Sequence, residues 1–495
     1  MLALSFPRYG HPAVAWIAVA PLLVALARDH GTGSRRPFLF GLLTGAGYFG
    51  GTVYWTPAVL QTFGGLHWAL AVAAGSLLVG YLALFPALFA VCLATMIRVF
   101  GARGLLLGPA AWVATEWLRR YVLGGFPWVL LGSSQARLTP IAQTASLVGV
   151  YGLSALVVLA SAAAALAVAG RGRERVVAPV CALALIAALA GWGTLRVQEG
   201  SLLRAGASVR VALVQGNVRQ DEKWSQGLAR QIFENYLALT RQAADQGAAL
   251  VVWPESATPF LFEHDAVGRA GIVDLVQRRR IHLLFGSDQF EAGAPPRSFN
   301  SAFLVTPAGD VAGVYKKMHL VPFGEYVPLK RLLFFAAPLV EAVSDFSPGD
   351  RPVVMSIGEH ALSTAICYEV VYPDLVADFV AGGSQLLTTI TNDAWYGASS
   401  APYQHFEQAA LRAVEQGRYL IRAANTGISG IVDPYGRVVT ASAIFERTVV
   451  MGDVRFLTGR TFYGQTGDVF AAACALLTIL TLIAAWRARG AAASR

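Results

Sequence analysis

The stretch LSTAICYEVVYPDL, residues 362–375, decides how the rest of the chain is read. LSTAI is an unbroken run of apolar and small residues, the pattern of a buried strand. VVYPDL reads as a turn leading into a helix. Cys367 therefore stands at a strand end, where a fold can hold a reactive group still and open to a ligand. At this point it is either a nucleophile or a small core residue.

The surroundings of that strand are unusual. The chain has 495 residues, 55% of them hydrophobic and 14% charged. Its mean hydropathy is +0.52, too apolar for an ordinary soluble enzyme and in the range of an integral membrane protein. The apolar content is uneven. Residues 11–196 are almost all Ala, Leu, Val, Gly and aromatics, residues 208–460 have normal globular composition, and residues 467–486 are apolar again. Candidate spans are 11–27, 37–58, 67–96, 105–122, 141–169, 176–196 and 467–486. Each is close to or above the roughly 20 residues that cross the hydrocarbon layer. The organisation expected is a membrane bundle over 1–200 with about six spans, a polar domain over 208–460, a last span at 467–486 and a tail at 487–495.

Basic residues set the orientation. Arg28, Arg35 and Arg36 lie in the first loop, Arg98 and Arg103 in the third, Arg171, Arg173 and Arg175 in the fifth, and Arg487, Arg489 and Arg495 follow the last span. These segments alternate and are expected on the cytoplasmic side, which puts 208–460 outside the cytoplasm. Arg119, Arg120 and Arg137 run against the rule, but lie beside GGFPW, where a local role is expected. Seven spans with a cytoplasmic C-terminus leave the N-terminus outside, so either a further first span is missing from the given start or the protein lacks it. The net charge of +9 is partly this inside bias, and nothing points to nucleic acid. Of the four cysteines, Cys92, Cys181 and Cys474 lie in long apolar runs and only Cys367 lies in the polar domain. No CxxC or His-rich cluster appears, which argues against a structural zinc site and a disulfide framework.

Within 208–460, β-branched runs alternate with helical segments. Strands are expected at VRVALVQGNV (209–218), AALVVWPESATPF (248–260), HLLFGSD, NSAFLVTPAGDVAGVYKKMHL (300–320, with a hairpin turn), the Cys367 strand, QLLTTITNDAW (385–395) and the hairpin GISGIVDPYGRVVT (427–440). That pattern indicates a layered α/β domain. Three strand ends carry reactive groups: Glu255, Lys317 and Cys367. A thiol attacking a carbonyl needs a base to take its proton and a donor for the oxyanion that forms. A carboxylate and an ammonium can supply both.

WPES, YKKMHLVPFGEYVP and ICYEVVYPD resemble the three motifs of the carbon–nitrogen hydrolase (nitrilase) superfamily. HLVPFGEYVPL, TNDAWYG, QHF and the membrane segment TEWLRRYVLGGFPW (115–128) narrow the resemblance to the apolipoprotein N-acyltransferase family. It covers essentially the whole chain. It implies a multi-span α-helical membrane bundle plus an α/β nitrilase-like domain, an α-β-β-α sandwich. It implies Glu255 as general base, Lys317 (two residues before the His of HLVPFGE) as oxyanion stabiliser and Cys367 as nucleophile. It also implies Glu325 as an auxiliary glutamate, and Trp224, Tyr368, Glu369 and, more weakly, Asn300 near the site. His319 and His405 are read as hydrogen-bonded structural residues outside the triad. The family is expected to have eight spans, and seven are counted here.

The implied reaction moves an acyl chain from a membrane phospholipid, through a thioester on Cys367, to the N-terminal amine of S-diacylglyceryl-cysteine in an apolipoprotein. No cofactor and no metal is implied, and the setting is the bacterial inner membrane with the domain in the periplasm. LKRLLFFAAPLVEAV (329–343) is either a core helix or a lid dipping into the outer leaflet. Two rivals stay open: a membrane-tethered amidase acting on soluble substrates, and a transporter or receptor with a degraded hydrolase-like domain. An intact triad and few ionisable groups in the spans, chiefly Glu116, weigh against the second.

Overall fold

The computed structural model describes residues 1–223, 225–322, 324–326 and 346–493. Trp224 and the stretch 327–345, which contains the expected lid, lie outside the described residues. The chain divides into two units: Met1–Ala58, His67–Glu199 and Gln465–Arg495 form one, and Val59–Leu66 with Gly200–Gly464 form the other.

The first unit is helical. Among the described residues, four helical stretches are long and apolar enough to cross a membrane: Trp68–Arg119, Ala145–Ala169, Glu174–Leu203 and Val469–Ala488. Pro12–Arg28 is a shorter apolar stretch. The candidate span at 105–122 contains an α-helix of only 12 residues, Gly108–Arg119, flanked by 3₁₀ runs Gly101–Leu107 and Val122–Gly124. At 1.5 Å per residue that helix is about 18 Å long. Helix Arg35–Thr52 packs backbone to backbone on helix Trp68–Phe100: a Cβ on Gly41 would lie 2.3 Å from the Pro86 carbonyl oxygen, and one on Gly45 2.7 Å from Ala83 Cα. Small residues at a contact are how membrane helices approach closely, since lipid supplies no hydrophobic drive between them.

Glu116 and Arg119 are buried on one face of Gly108–Arg119. Glu116 accepts a hydrogen bond from the Leu131 N–H (2.7 Å), and Arg119 donates to the Trp128 carbonyl (3.2 Å). Tyr48 donates to the Val129 carbonyl at 2.7 Å. The polar residues of TEWLRRYVLGGFPW thus satisfy the irregular backbone that follows the helix, the requirement for non-helical chain in such a unit.

The second unit holds twelve strands among the described residues, in two six-stranded sheets. In chain order they are β1 (Ser208–Gln215), β2 (Leu250–Val252), β3 (His282–Glu291), β4 (Arg297–Val305), β5 (Val311–Lys316), β6 (Val354–Ile357), β7 (His360–Ile366), β8 (Leu386–Thr391), β9 (Leu420–Ala424), β10 (Gly430–Val432), β11 (Val438–Ala441) and β12 (Thr448–Arg455). One sheet runs β12-β1-β2-β3-β4-β5 and the other β11-β10-β9-β8-β7-β6. Each has a parallel centre (β1-β2-β3 and β7-β8-β9) and antiparallel flanks. Of these parallel strands β2, β8 and β9 are buried along their whole length, as expected where both faces are covered.

Helices Gln226–Asp245 and Ala266–Arg279 cover the first sheet, with Ile232, Tyr236, Ile272 and Val276 packed on Val251, Trp253 and Leu283. Helices Pro373–Ala381 and Ala401–Gln416 belong to the second sheet. The sheets lie face to face, β1 against β9 and β4 against β7. This is the α-β-β-α layering expected. It brings the ends of β2 and β5 toward the end of β7.

Candidate active site

Cys367 comes directly after β7 and opens a 3₁₀ turn, Cys367–Val371. Its φ is +54°, in the left-handed region, and the residue is 4% exposed. Holding a cysteine there costs on the order of 1–3 kcal/mol, and such strain collects at functional sites. The turn is held from both sides. The Glu369 carboxylate reaches back to accept from the Ile366 N–H (2.8 Å), and the Cys367 carbonyl accepts from His405 Nε2 (3.0 Å).

Glu255 follows β2 through Trp253 and Pro254. A Cβ on Gly286 of β3 would lie 2.4 Å from the Ser256 nitrogen, so only glycine lets the Glu255 turn rest on that strand. One carboxylate oxygen of Glu255 accepts from Asn300 Nδ2 (2.7 Å) and Lys317 Nζ (3.2 Å), and the other from the Asn392 N–H (2.8 Å). Lys317 comes directly after β5, and its N–H donates to the Asn300 carbonyl at 2.9 Å. Its Nζ also donates to Glu325 Oε1 at 2.9 Å. Asn300 donates to that same oxygen (2.9 Å), so one amide and one ammonium bridge two buried carboxylates. The Val321 N–H (2.8 Å) holds the other Glu325 oxygen.

Adjacent residues on a strand point to opposite faces. Lys317 is 1% exposed and faces this cluster, whereas Lys316 is 27% exposed and pairs with Glu291.

The charges explain one another. Burial works against the Glu255 carboxylate, but the Lys317 and Lys223 ammoniums outweigh it and lower its pKa. Burial also works against charged Lys317, yet Glu255 and Glu325 raise its pKa well above the usual value. Burial raises the Cys367 thiol, with Glu255 pushing the same way and Lys317 opposing. Cys367 is thus near enough to both for their charges to act on it. The resting arrangement is a neutral thiol, an ionised glutamate and a protonated lysine.

The remaining expected residues have distinct places. Tyr368 is buried, edge-on to Tyr372 with ring centres 5.4 Å apart. Glu369 is fully buried and accepts from Tyr315 Oη (2.8 Å), the Met318 N–H (2.6 Å), the His319 N–H (3.1 Å) and the Ile366 N–H. It ties the Lys317 segment to the Cys367 turn. Burial raises its pKa to about 7 against those hydrogen bonds. Sequence reasoning missed Asn392, which binds Glu255 through its main chain. It also missed buried Lys223, whose Nζ donates to the Glu255 carbonyl at 3.2 Å. Neither carries a local signal: one acts through its backbone and the other lies on a loop.

Residues 1–163 match the apolipoprotein N-acyltransferase N-terminal domain, and residues 210–461 match carbon-nitrogen hydrolase. The apolipoprotein N-acyltransferase of Geobacter metallireducens is 41% identical over 486 residues, covering 96% of this chain and 91% of that protein. The chain belongs to the apolipoprotein N-acyltransferase family. The family member of Shewanella oneidensis is 34% identical, over 94% of this chain and 90% of its own length. An amidase of the nitrilase superfamily from Nesterenkonia AN1 is 22% identical, with a TM-score of 0.42, over 54% of this chain and 97% of that structure. This apolipoprotein N-acyltransferase family member is a membrane protein and an enzyme, an N-acyltransferase with a nitrilase-like domain.

Proposed function

We propose that Cys367 is the nucleophile, Glu255 the general base and Lys317 the oxyanion donor of a two-step acyl transfer. The donor is a membrane phospholipid and the acceptor is the α-amine of the S-diacylglyceryl-cysteine that begins an apolipoprotein. The observation that carries this reading is the pairing of Lys317 with Glu255 at 3.2 Å, beside a cysteine held in a left-handed strand-end turn.

In the first half, Glu255 takes the thiol proton as sulfur adds to the ester carbonyl. The carbonyl oxygen becomes an alkoxide against the Lys317 ammonium, where fixed charge is most effective because water is excluded. With the Glu255 pKa lowered and the thiol raised, the proton moves only as the sulfur–carbon bond forms. Collapse breaks the ester C–O bond, Glu255 returns the proton to the leaving oxygen, and a lysophospholipid departs. In the second half, the amine adds to the thioester and gives its proton to Glu255. The C–S bond breaks, the sulfur recovers a proton, and an amide leaves. Glu325 and Asn300 keep Lys317 and Glu255 in register; Tyr368 and Trp224 are assigned to the substrate side. Both substrates are lipids, which fits an enzyme whose other unit is a membrane bundle over 1–200 with a further span at 467–486. The arginine pattern supports an inner-membrane setting with 208–460 in the periplasm and the 487–495 tail in the cytoplasm.

Intact-mass spectrometry of protein purified from membranes tests the reading. A fatty-acyl adduct that maps to Cys367 and disappears in Cys367→Ala is expected. An adduct that persists in Cys367→Ala, or turnover to free fatty acid with no acylated amine, would overturn it.

A further inference from the structure

Three buried residues from three elements meet beneath the nucleophile, and one of them reaches its main chain. Asp393 opens the 3₁₀ turn after β8, His405 lies in helix Ala401–Gln416, and Arg422 is on β9; none is more than 1% exposed. His405 Nε2 is 3.0 Å from the Cys367 carbonyl oxygen. On the far side of the ring, Nδ1 lies 3.1 Å from Asp393 Oδ1 and 3.0 Å from Arg422 Nη2, which also donates to Asp393 Oδ2 at 2.9 Å. Thr391 Oγ1 donates to Asp393 at 3.0 Å.

The chemistry of these atoms fixes the ring. A carbonyl oxygen only accepts, so Nε2 carries a proton. Burial opposes the Asp393 carboxylate, but Arg422 and His405 outweigh it and bring its pKa down to about 2. Burial and Arg422 together lower the pKa of His405. Nε2–H is thus aimed at the Cys367 carbonyl, while Nδ1 faces both Asp393 Oδ1 and Arg422 Nη2, which fix the ring from the other side. The Cys367–Tyr368 peptide is trans and planar, so a carbonyl held on one side sets the Tyr368 N–H on the other. The same hydrogen bond braces the left-handed φ that aims the thiol.

We propose that His405, oriented by Asp393 and Arg422, is a positioning residue that locks the Cys367–Tyr368 peptide plane and keeps the thiol in its attacking direction. This rests on the reading of Cys367 as the nucleophile. His405 acts on Cys367 through the main-chain oxygen. Its contribution is to hold the geometry from which attack occurs, and a misplacement of about 1 Å at such a site costs on the order of 10²-fold in rate.

Two amide substitutions separate the halves of the ring. His405→Gln places an N–H donor near the position of Nε2 and keeps the bond to the Cys367 carbonyl. His405→Asn places its amide near Nδ1, keeping the Asp393 and Arg422 side while losing Cys367. Single-turnover acylation of the full-length protein in phospholipid micelles is measured, with thermal unfolding of each variant alongside. Expected is acylation within about threefold of wild type for His405→Gln and a loss of about 10²-fold for His405→Asn, with KM for the donor little changed in both. Equal rates in the two variants, at similar unfolding temperatures, would overturn the proposal. Should His405→Asn not yield folded protein, His405→Gln decides alone, and a loss beyond about tenfold refutes the positioning role. Cys367→Ala run in parallel keeps the two readings apart: acylation in that variant sinks the nucleophile assignment, whereas acylation lost there but kept in His405→Asn sinks only this inference.

Discussion

Replacing Lys317 by Met tests the charge arrangement of the site most directly. The ammonium is 1% exposed and serves two carboxylates, Glu255 at 3.2 Å and Glu325 at 2.9 Å. Removing it leaves two buried carboxylates sharing the Asn300 amide. Breaking a buried pair this way destabilises by about 3–5 kcal/mol, so a lower unfolding temperature is expected. The rate should fall by roughly 10²–10³, the usual loss for one oxyanion donor. The two effects separate with pH. Lys317 holds the Glu255 pKa down, so without it that pKa rises and the acid limb of the rate profile moves to higher pH. Raising pH then recovers the part of the loss due to a protonated base, while the plateau stays low because the oxyanion charge is gone. Lys316→Ala is the control. Its ion pair with Glu291 is about a third exposed on both sides, so it is worth less than about 1 kcal/mol. Its acylation should stay within about twofold of wild type. The assay is single-turnover acylation from phospholipid in mixed micelles across pH. A Lys317→Met plateau that returns to the wild-type rate at high pH would mean Lys317 acts only through Glu255. An inactive Lys316→Ala beside an active Lys317→Met would refute the assignment outright.

Cys367→Ala should abolish the acyl-enzyme, and Cys367→Ser should be nearly inactive because a carboxylate cannot readily deprotonate a hydroxyl; Cys92→Ala and Cys181→Ala should acylate normally by the same mass assay. Glu369→Gln turns one acceptor into a donor where four donors converge, and should destabilise by on the order of 1–3 kcal/mol, read by thermal unfolding at pH 7. Asp393→Asn should cost about 2 kcal/mol at pH 7, because the folded carboxyl titrates near 2 instead of the usual 3.8. A depressed pKa stabilises above its unfolded value and is lost as pH falls through the folded one, so the gap between variant and wild type should narrow from pH 4 downward. A constant gap would show that the carboxylate's charge is not what matters.

The candidate triad was legible because its signals are local: Glu255, Lys317 and Cys367 each stand just after a short apolar strand, alternation along VYKK says that only one lysine can face the site, and the resemblance, with the lysine two residues before the His of HLVPFGE, selects Lys317. What holds these residues was not legible. The bond from Asn392 to Glu255 spans 137 positions, and that from His405 to Cys367 spans 38. Such contacts depend on how two sheets pack, which no local pattern records. His405 looked like an ordinary buried histidine because its function lies in a main-chain oxygen. β6 and β12 were passed over as well: β6 has four residues, and β12 begins beside polar loop residues and pairs with a strand far back in the chain. In the membrane unit, composition located the apolar runs but not their breaks. The expected span at 105–122 is cut short at both ends, where Gly101, Gly108 and the Gly124–Gly125 pair stand.

The pairing of β1 with β12 has a consequence for how the protein is made. Ser208 sits opposite Arg455, so the first strand of the domain waits for its last before both of its sides are paired. A chain emerging from its N-terminus completes the Glu255 and Lys317 strands early, the Cys367 strand later and the closing strand last of all. A fragment ending before residue 448 would contain the whole triad and still leave one side of β1 unpaired, a template on which strands of other chains add. The last eight-residue strand of the domain, far along the chain from the triad residues, is what pairs that side of β1.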